Sequence, residues 1–282
     1  MTSKNPKSLC EAALDVLGTA NAHKKATKTR YYAQLWRDGR ITTLGTVDDM
    51  PARPARPDKP ELRMPRDMPK RKKAGTDKNK IALLHALSHI ELNAIDLAWD
   101  ILARFSYFFR TDDFSLPIDF YTDWLKVADD EAKHFLMLSD RLADFNAKYG
   151  DLPAHDGLWE SATKTAKDFA ARLAIVPMVL EARGLDVTPH MIALMTAQGD
   201  TKTANMLQII HDDEITHVAA GTVWFKKWCA HHDKEEETYF QELVRTYFNA
   251  NLKKPFNHPS REKAGMIPDW YEPLADNIKE SA

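Results

Sequence analysis

Residues 130–134 read Asp-Glu-Ala-Lys-His, and residues 213–217 read Asp-Glu-Ile-Thr-His. In each copy a glutamate precedes a histidine by three positions, so on a helix both side chains project from one face. A carboxylate and an imidazole together are ligands that divalent iron or manganese accepts. The repeated pattern therefore predicts two helices that each present a pair of metal ligands.

The apolar residues around both motifs predict that the two glutamates are buried. At 100° per residue, Glu131 lies in the middle of an apolar stripe and His134 lies about 60° from it. That stripe contains Trp124, Val127, Phe135, Leu138 and Leu142. Around Glu214, with His217 beside it, the corresponding residues are Leu207, Ile210, Val218 and Phe225. Because an unpaired buried carboxylate is costly or becomes protonated, both stripes indicate a partner cation.

Two further predicted helices each supply one more glutamate on an apolar face. Glu91 shares its face with Leu84, Leu87, Ile95, Ala98 and Leu102, and Glu181 shares its face with Ala170, Ala174, Pro177 and Met178. The complete predicted ligand set is therefore Glu91, Glu131, His134, Glu181, Glu214 and His217. Four carboxylates and two imidazoles from four helices are the ligands of a di-iron site in a four-helix bundle. We expect two iron ions, with manganese or a mixed manganese–iron pair as the alternative.

Neighbouring polar residues are candidates for supporting roles. Asp130 and Asp213 each stand four residues before the histidine of their motif. We expect each to accept the second ring N–H of that histidine or of the histidine across the bundle. Ordinary charge on the helix surface is the alternative. His211 lies about 60° from Glu214 on the flank opposite its histidine. It is a candidate ligand, proton shuttle or pocket wall, and a core histidine with its own hydrogen bonds is an equal alternative.

Two other histidines form a pair at helical spacing but point elsewhere. His85 and His89 fall about 120–160° from Glu91, on the same side as Asp96. A local histidine–aspartate network is therefore favoured over a second set of metal ligands.

Helical periodicity with little strand-like alternation predicts an all-α fold. We expect an N-terminal helical segment at 1–50, a Pro-rich basic linker at 51–77, a four-helix bundle at 78–232, and a C-terminal helix and tail packed on the bundle at 233–282. The predicted bundle helices cover about 78–109, 118–149, 158–183 and 201–231. Gly150 and Gly184 are predicted to end the second and third helices, Pro177 to kink the third, and Pro189 to begin a further piece. The tail from Pro255 is predicted to be irregular.

Composition and charge limit the binding partners and cellular compartments that can be expected for the protein. A formal net charge of −2 provides no overall field for nucleic acid or an anionic membrane. The basic run at 70–73 could contact RNA, but no aromatic residues are interleaved with it, so a solvated linker lying along the bundle is favoured. Two cysteines suit a reducing compartment. With no secretory signal and no long apolar run apparent, we expect a cytoplasmic protein without a membrane span.

The ligand order resembles that of the ferritin-like superfamily. Further strings resemble an uncharacterised bacterial branch of it, the domain-of-unknown-function family numbered 455. These strings include HIE at 89–91, EAKHF at 131–135, HDGLW at 155–159, EARGLD at 181–186, DEITHV at 213–218 and PFN at 255–257. The resemblance covers nearly the whole chain and implies a ferritin-like bundle with a di-metal centre on the six ligands. It implies no reaction. A more distant similarity is to the di-iron hydroxylases that modify tRNA.

The favoured function is that of an O2-dependent oxidoreductase or hydroxylase acting on an unknown small molecule. Ferroxidase or iron handling, peroxide detoxification, and a non-enzymatic bundle with a structural metal are the alternatives. Because the long flanking segments argue against a storage cage, a monomer or a small homo-oligomer is expected.

Overall fold

The prediction of an all-α protein is confirmed by the computed structural model. Helices account for 68% of the described residues, which form no strand. The structure describes residues 6–68, 75–106, 114–248 and 250–275. The basic run at 70–73 and the last residues of the predicted 78–109 helix lie outside these ranges. The chain divides into two compact units, residues 1–160 and residues 161–282.

The first unit is built on two long helices. Its elements are α1 (Leu9–Leu17), α2 (Ala22–Arg37), a 3₁₀ turn (Pro65–Asp67), α3 (Asp77–Arg104) and α4 (Ile118–Ala143), and α5 (Gly157–Lys164) spans the boundary between the units. Helix α3 packs along α4 and α1, and α4 also packs against α2. The hydroxyl of Thr76 accepts the backbone N–H of Asn79 and caps α3.

The Pro-rich segment from 51 to 68 lies along this unit in an extended path. The indole of Trp159 donates to the carbonyl of Ala52, and the N–H of Ala55 donates to the carbonyl of Leu17. Further along, Leu62 forms an isolated bridge with Ala154. Prolines lack the backbone N–H groups that a regular helix or strand needs. Hydrogen bonds to side chains and to neighbouring segments therefore hold this stretch in place. This part of the predicted linker is therefore attached to the unit.

The predicted end of the second bundle helix at Gly150 is wrong. Helix α4 ends at Ala143, and Asn146 adopts a left-handed conformation with φ of 54°. The N–H of Ala147 then returns to the carbonyl of Leu142 at 3.0 Å, which closes the helix end. An asparagine tolerates this conformation well enough to end the helix before the first glycine.

The second unit contains five further helical segments before its tail. They are α6 (Phe169–Ile175), a π segment (Val176–Glu181), α7 (Ala182–Ala197), α8 (Thr201–His231) and α9 (Glu236–Tyr247). Helix α8 packs against α6, the π segment and α7, while α9 packs against α6. The predicted range of the fourth bundle helix is confirmed.

The predicted third helix, at 158–183, differs most from the structure. The chain breaks after α5, and the carboxylate of Asp168 accepts the N–H of Ala171 to begin a new helix. The predicted distortion at Pro177 is present, but it takes the form of a π segment. Helix α7 then continues through Gly184 and Pro189, so neither residue acts as the predicted boundary.

The prediction of an irregular C-terminal tail is also wrong. The tail forms α10 (His258–Lys263), α11 (Pro268–Tyr271) and a 3₁₀ turn (Glu272–Leu274). Asn257 caps α10 by accepting the N–H of Ser260 at 3.3 Å, and α10 packs on α7 and α8. Prolines at the first turns of α10 and α11 are compatible with these short helices because the N–H they lack would be unpaired there.

Among the described residues, one helix, α3, is long and apolar enough to cross a membrane. Its most apolar window is 72% buried within the protein. Buried core helices meet the same criterion, so this gives only weak support for a membrane span.

Candidate metal centre

The first unit brings three of the predicted ligands together. Glu91 comes from α3, and Glu131 and His134 come from α4. The Nδ1 atom of His134 lies 3.3 Å from a carboxylate oxygen of Glu91 and 3.7 Å from one of Glu131. One ligand atom from each of the three lies within 4.8 Å of the others. The side chains of Glu131 and His134 have no exposed area, and that of Glu91 is 4% exposed.

Burial dominates the electrostatics of this group. It raises the pKa of Glu91 well above its ordinary value, and the nearby Glu131 carboxylate raises it further. His134 opposes the rise through its hydrogen bond and charge. Two carboxylates this close in an apolar environment do not both stay charged without a cation. A divalent ion would let both carboxylates remain ionised, so the donor set fits a metal.

The second unit brings the other three predicted ligands together. Glu181 is the last residue of the π segment, and Glu214 and His217 lie on α8. The Nδ1 atom of His217 is 3.7 Å from a carboxylate oxygen of Glu214. The side chains of Glu214 and His217 are 12% and 0% exposed. One ligand atom from each of these three residues lies within 4.8 Å of the others.

A close helix contact positions Glu181. Pro177 is the second residue of the π segment that ends at Glu181. Its ring packs against Gly221 of α8. A Cβ atom at Gly221 would stand 2.4 Å from the Pro177 ring, far inside van der Waals contact. A glycine is therefore needed for the π segment to approach α8 this closely. Sequence analysis found the proline but not the role of this glycine.

The predicted supporting aspartates have other contacts that the structure describes. Asp130 receives hydrogen bonds from Lys126 and Lys133, both at 2.8 Å. The backbone carbonyl of Asp213 accepts the hydroxyl of Thr216. Their proposed bonds to the ligand histidines remain predictions.

His211 is buried on α8 and has two nearby polar partners. Its Nε2 atom lies 3.4 Å from the hydroxyl of Ser260, and its Nδ1 atom lies 3.5 Å from the carboxylate of Asp212. The pairing with Ser260 brings the first turn of α10 against the helix that carries Glu214.

His85 and His89 do not form the predicted network with Asp96. His85 accepts backbone N–H groups from residues 150 and 152, and His89 bonds to Tyr149 and to the carbonyl of residue 155. The aspartate faces another partner, because the amino group of Lys25 lies 2.5 Å from its Oδ1 atom.

The Lys25–Asp96 pair is the main buried ion pair that sequence analysis missed. The two side chains are 1% and 0% exposed, and Arg56 approaches the other Asp96 oxygen at 3.0 Å. Burial lowers the pKa of Lys25, while Asp96 opposes that shift. The sequence does indicate that Lys25 is buried, because this lysine lies on the same helical face as Ala22 and Tyr32.

The Arg183–Asp186 string belongs to a structural clamp. The guanidinium of Arg261 binds both carboxylate oxygens of Asp186, at 2.9 and 2.7 Å. Asn257 donates its backbone N–H to the same carboxylate, and Arg183 donates to the carbonyl of Lys253. These contacts hold the tail on α7.

The geometry so far defines a helical protein with two buried carboxylate–histidine groups, one in each unit, that can bind metal. The chain belongs to the family described as protein of unknown function (DUF455), whose model matches residues 18–272. It is 38% identical to an uncharacterized protein of Haemophilus influenzae over 225 residues, which are 79% of this chain and 77% of that protein. No solved structure matches the chain.

Proposed function

We propose that the two ligand groups hold two iron ions, one in each group, and that the protein is an O2-dependent oxidoreductase acting on a small organic molecule. The observation that carries the proposal is the placement of Glu91, Glu131 and His134 within 4.8 Å in a fully buried environment. The matching group in the second unit supplies the same donor types. Four carboxylates balance two divalent charges, and imidazole with carboxylate suits iron or manganese.

Within this proposal each side chain has a definite task. Glu91, Glu131 and His134 would hold one ion, and Glu181, Glu214 and His217 the other. Bound iron would supply the redox chemistry and the open positions that O2 requires. The apolar residues around the carboxylates exclude water from the ligands. We assign His211 to holding a proton at Nε2, where Ser260 is its partner.

Anaerobic titration with Fe(II) tests the metal stoichiometry. We expect two ions per chain in the natural protein and fewer in Glu131→Gln and Glu214→Gln, because each substitution removes a charged donor. Glu242→Gln is the matched control, since Glu242 is exposed on α9. Unchanged iron content in the double variant Glu131→Gln/Glu214→Gln would overturn the site. Elemental analysis of protein from its native host distinguishes iron from manganese.

Exposure of the iron-loaded protein to O2 then separates the functional classes. An oxidoreductase should couple O2 consumption to oxidation of an added organic substrate. Iron oxidation and release alone would instead identify a ferroxidase, and preferential consumption of peroxide would identify a detoxifying protein. A loaded protein that reacts with neither oxidant would support a structural metal. We also propose a cytoplasmic monomer or small oligomer, which size-exclusion chromatography and cell fractionation can test.

A further inference from the structure

A cavity of about 150 Å³ lies in the first unit. It is bounded by the first half of α3 and by the loop that precedes α5. Most of its lining is apolar, from Ala82, Ala86, Ile90, Leu152, Pro153 and Leu158. None of the six predicted metal ligands lines it. The lining contains no lysine, arginine, aspartate or glutamate.

One wall of the cavity presents a ring N–H donor from His85. The Nε2 atom of this residue accepts the backbone N–H groups of Gly150 at 3.0 Å and Leu152 at 3.4 Å. The ring proton of the neutral histidine must therefore reside on Nδ1. Within the described part of the chain, Nδ1 has no hydrogen-bond acceptor. His85 is only 2% exposed, so a molecule in the cavity is the natural partner for this donor.

The neighbouring histidines complete a preorganised wall. Both ring nitrogens of His89 have hydrogen-bond partners within the protein. Its Nδ1 accepts the hydroxyl of Tyr149 at 2.8 Å, and its Nε2 donates to the carbonyl of His155 at 3.0 Å. The Tyr149 ring stacks on the rings of both His85 and His89. The Nδ1 atom of His155 accepts the N–H of Gly157 at 3.3 Å, which leaves its Nε2–H as a second donor.

These features specify the chemistry of an occupant. Two N–H donors favour an oxygen acceptor, and an apolar lining without a cation disfavours an anion. A cavity of about 150 Å³ accommodates a molecule of roughly the size of benzene. We propose that this cavity is a ligand site for a small neutral molecule with an apolar ring or chain and one carbonyl-type oxygen. The site is independent of the metal proposal.

Binding of cyclohexanone to the full-length chain tests the proposal. Methylenecyclohexane has almost the same shape but lacks the acceptor oxygen, and benzoate carries a charge. We expect cyclohexanone to bind about five- to tenfold more tightly than methylenecyclohexane, as one net hydrogen bond implies. Benzoate should bind more weakly than either. Ligand-observed nuclear magnetic resonance measures the affinities, and ring-labelled ¹⁵N histidine should show a shift at Nδ1 of His85.

Two variants distinguish this cavity from other places on the chain. Ala86→Leu fills the cavity and should abolish cyclohexanone binding, while Ala143→Leu, at the exposed end of α4, should leave it unchanged. His85→Phe keeps a ring against Tyr149 and should reduce the preference for cyclohexanone over methylenecyclohexane, with the His155 donor still present. The proposal is overturned if Ala86→Leu still binds cyclohexanone, if the natural protein binds both probes equally, or if benzoate binds best.

Discussion

Acidification from pH 8 to pH 5 should destabilise the first unit through His89. Its ring lies in the core of that unit and is 7% exposed. Burial lowers the pKa of His89 from 6.5 to about 4, and the charge of Arg56 acts in the same direction. The hydrogen bond to the carbonyl of His155 opposes the shift without overcoming it. The folded protein therefore holds this histidine neutral at pH values where the unfolded chain protonates it.

The sign and size of the effect follow from proton linkage. Between pH 6.5 and pH 4 the unfolded chain binds more protons at His89 than the folded protein does, so stability falls as the pH falls. With those two pKa values, the free energy of unfolding should be about 2 kcal/mol lower at pH 5 than at pH 8. His85 shifts in the same direction because burial lowers its pKa too.

Hydrogen exchange on α3 peptides, followed by mass spectrometry in metal-free protein, measures the opening free energy of this unit at each pH. His89→Gln removes the titrating ring. Between pH 8 and pH 5 the opening free energy of this variant should fall by about 2 kcal/mol less than that of the natural protein. His190→Gln is the control, because this histidine is exposed on α7 and should leave the pH dependence unchanged. Equal pH dependence in the natural protein and His89→Gln would refute the reasoning.

Other substitutions test the contacts of the second unit and the charge of the first. In urea denaturation, Gly221→Ala should lower the free energy of unfolding by about 1–3 kcal/mol, because the new Cβ would stand 2.4 Å from the Pro177 ring. Gly184→Ala should raise the free energy of unfolding by up to about 1 kcal/mol, because nothing lies within 4 Å of its Cβ position. Arg261→Met should cost about 3–5 kcal/mol because it leaves the buried Asp186 carboxylate without its bidentate partner, and adding Asp186→Asn should recover part of that loss. Metal affinity should rise with pH because burial raises the pKa of Glu91 and metal must displace its proton. Calorimetry in buffers of different ionisation enthalpy should detect fewer released protons in Glu91→Gln.

The clustering of these glutamates and histidines could be predicted from the sequence because each one is a polar exception within an apolar helical stripe. This signal is local, and it survives errors in the helix ends. Glu131 lies beside Glu91 and His134 although α4 ends at Ala143 rather than near Gly150. Glu181 lies beside Glu214 and His217 although its predicted helix is broken by a turn and a π segment.

The remaining features depend on contacts between residues that are distant in the chain. The partner of Asp96 is Lys25, 71 residues away, and no helical periodicity relates the two positions. Gly184 was predicted to end a helix because glycine often does so. Its neighbours in α7 are instead held by the Asp186–Arg261 clamp, whose second partner lies 75 residues away. Local propensity could not reveal either pairing.

The two kinds of ligand position require different support from the fold. A Glu-x-x-His pair obtains its geometry from the regular helix that carries it, so α4 and α8 need no special device at those positions. A lone glutamate must be brought to its partners by packing between helices. For Glu181, the Pro177 π segment and the glycine at 221 set that approach. Disturbing this contact should therefore affect the second ligand group first, and Gly221→Ala should weaken metal binding there while leaving the first group intact.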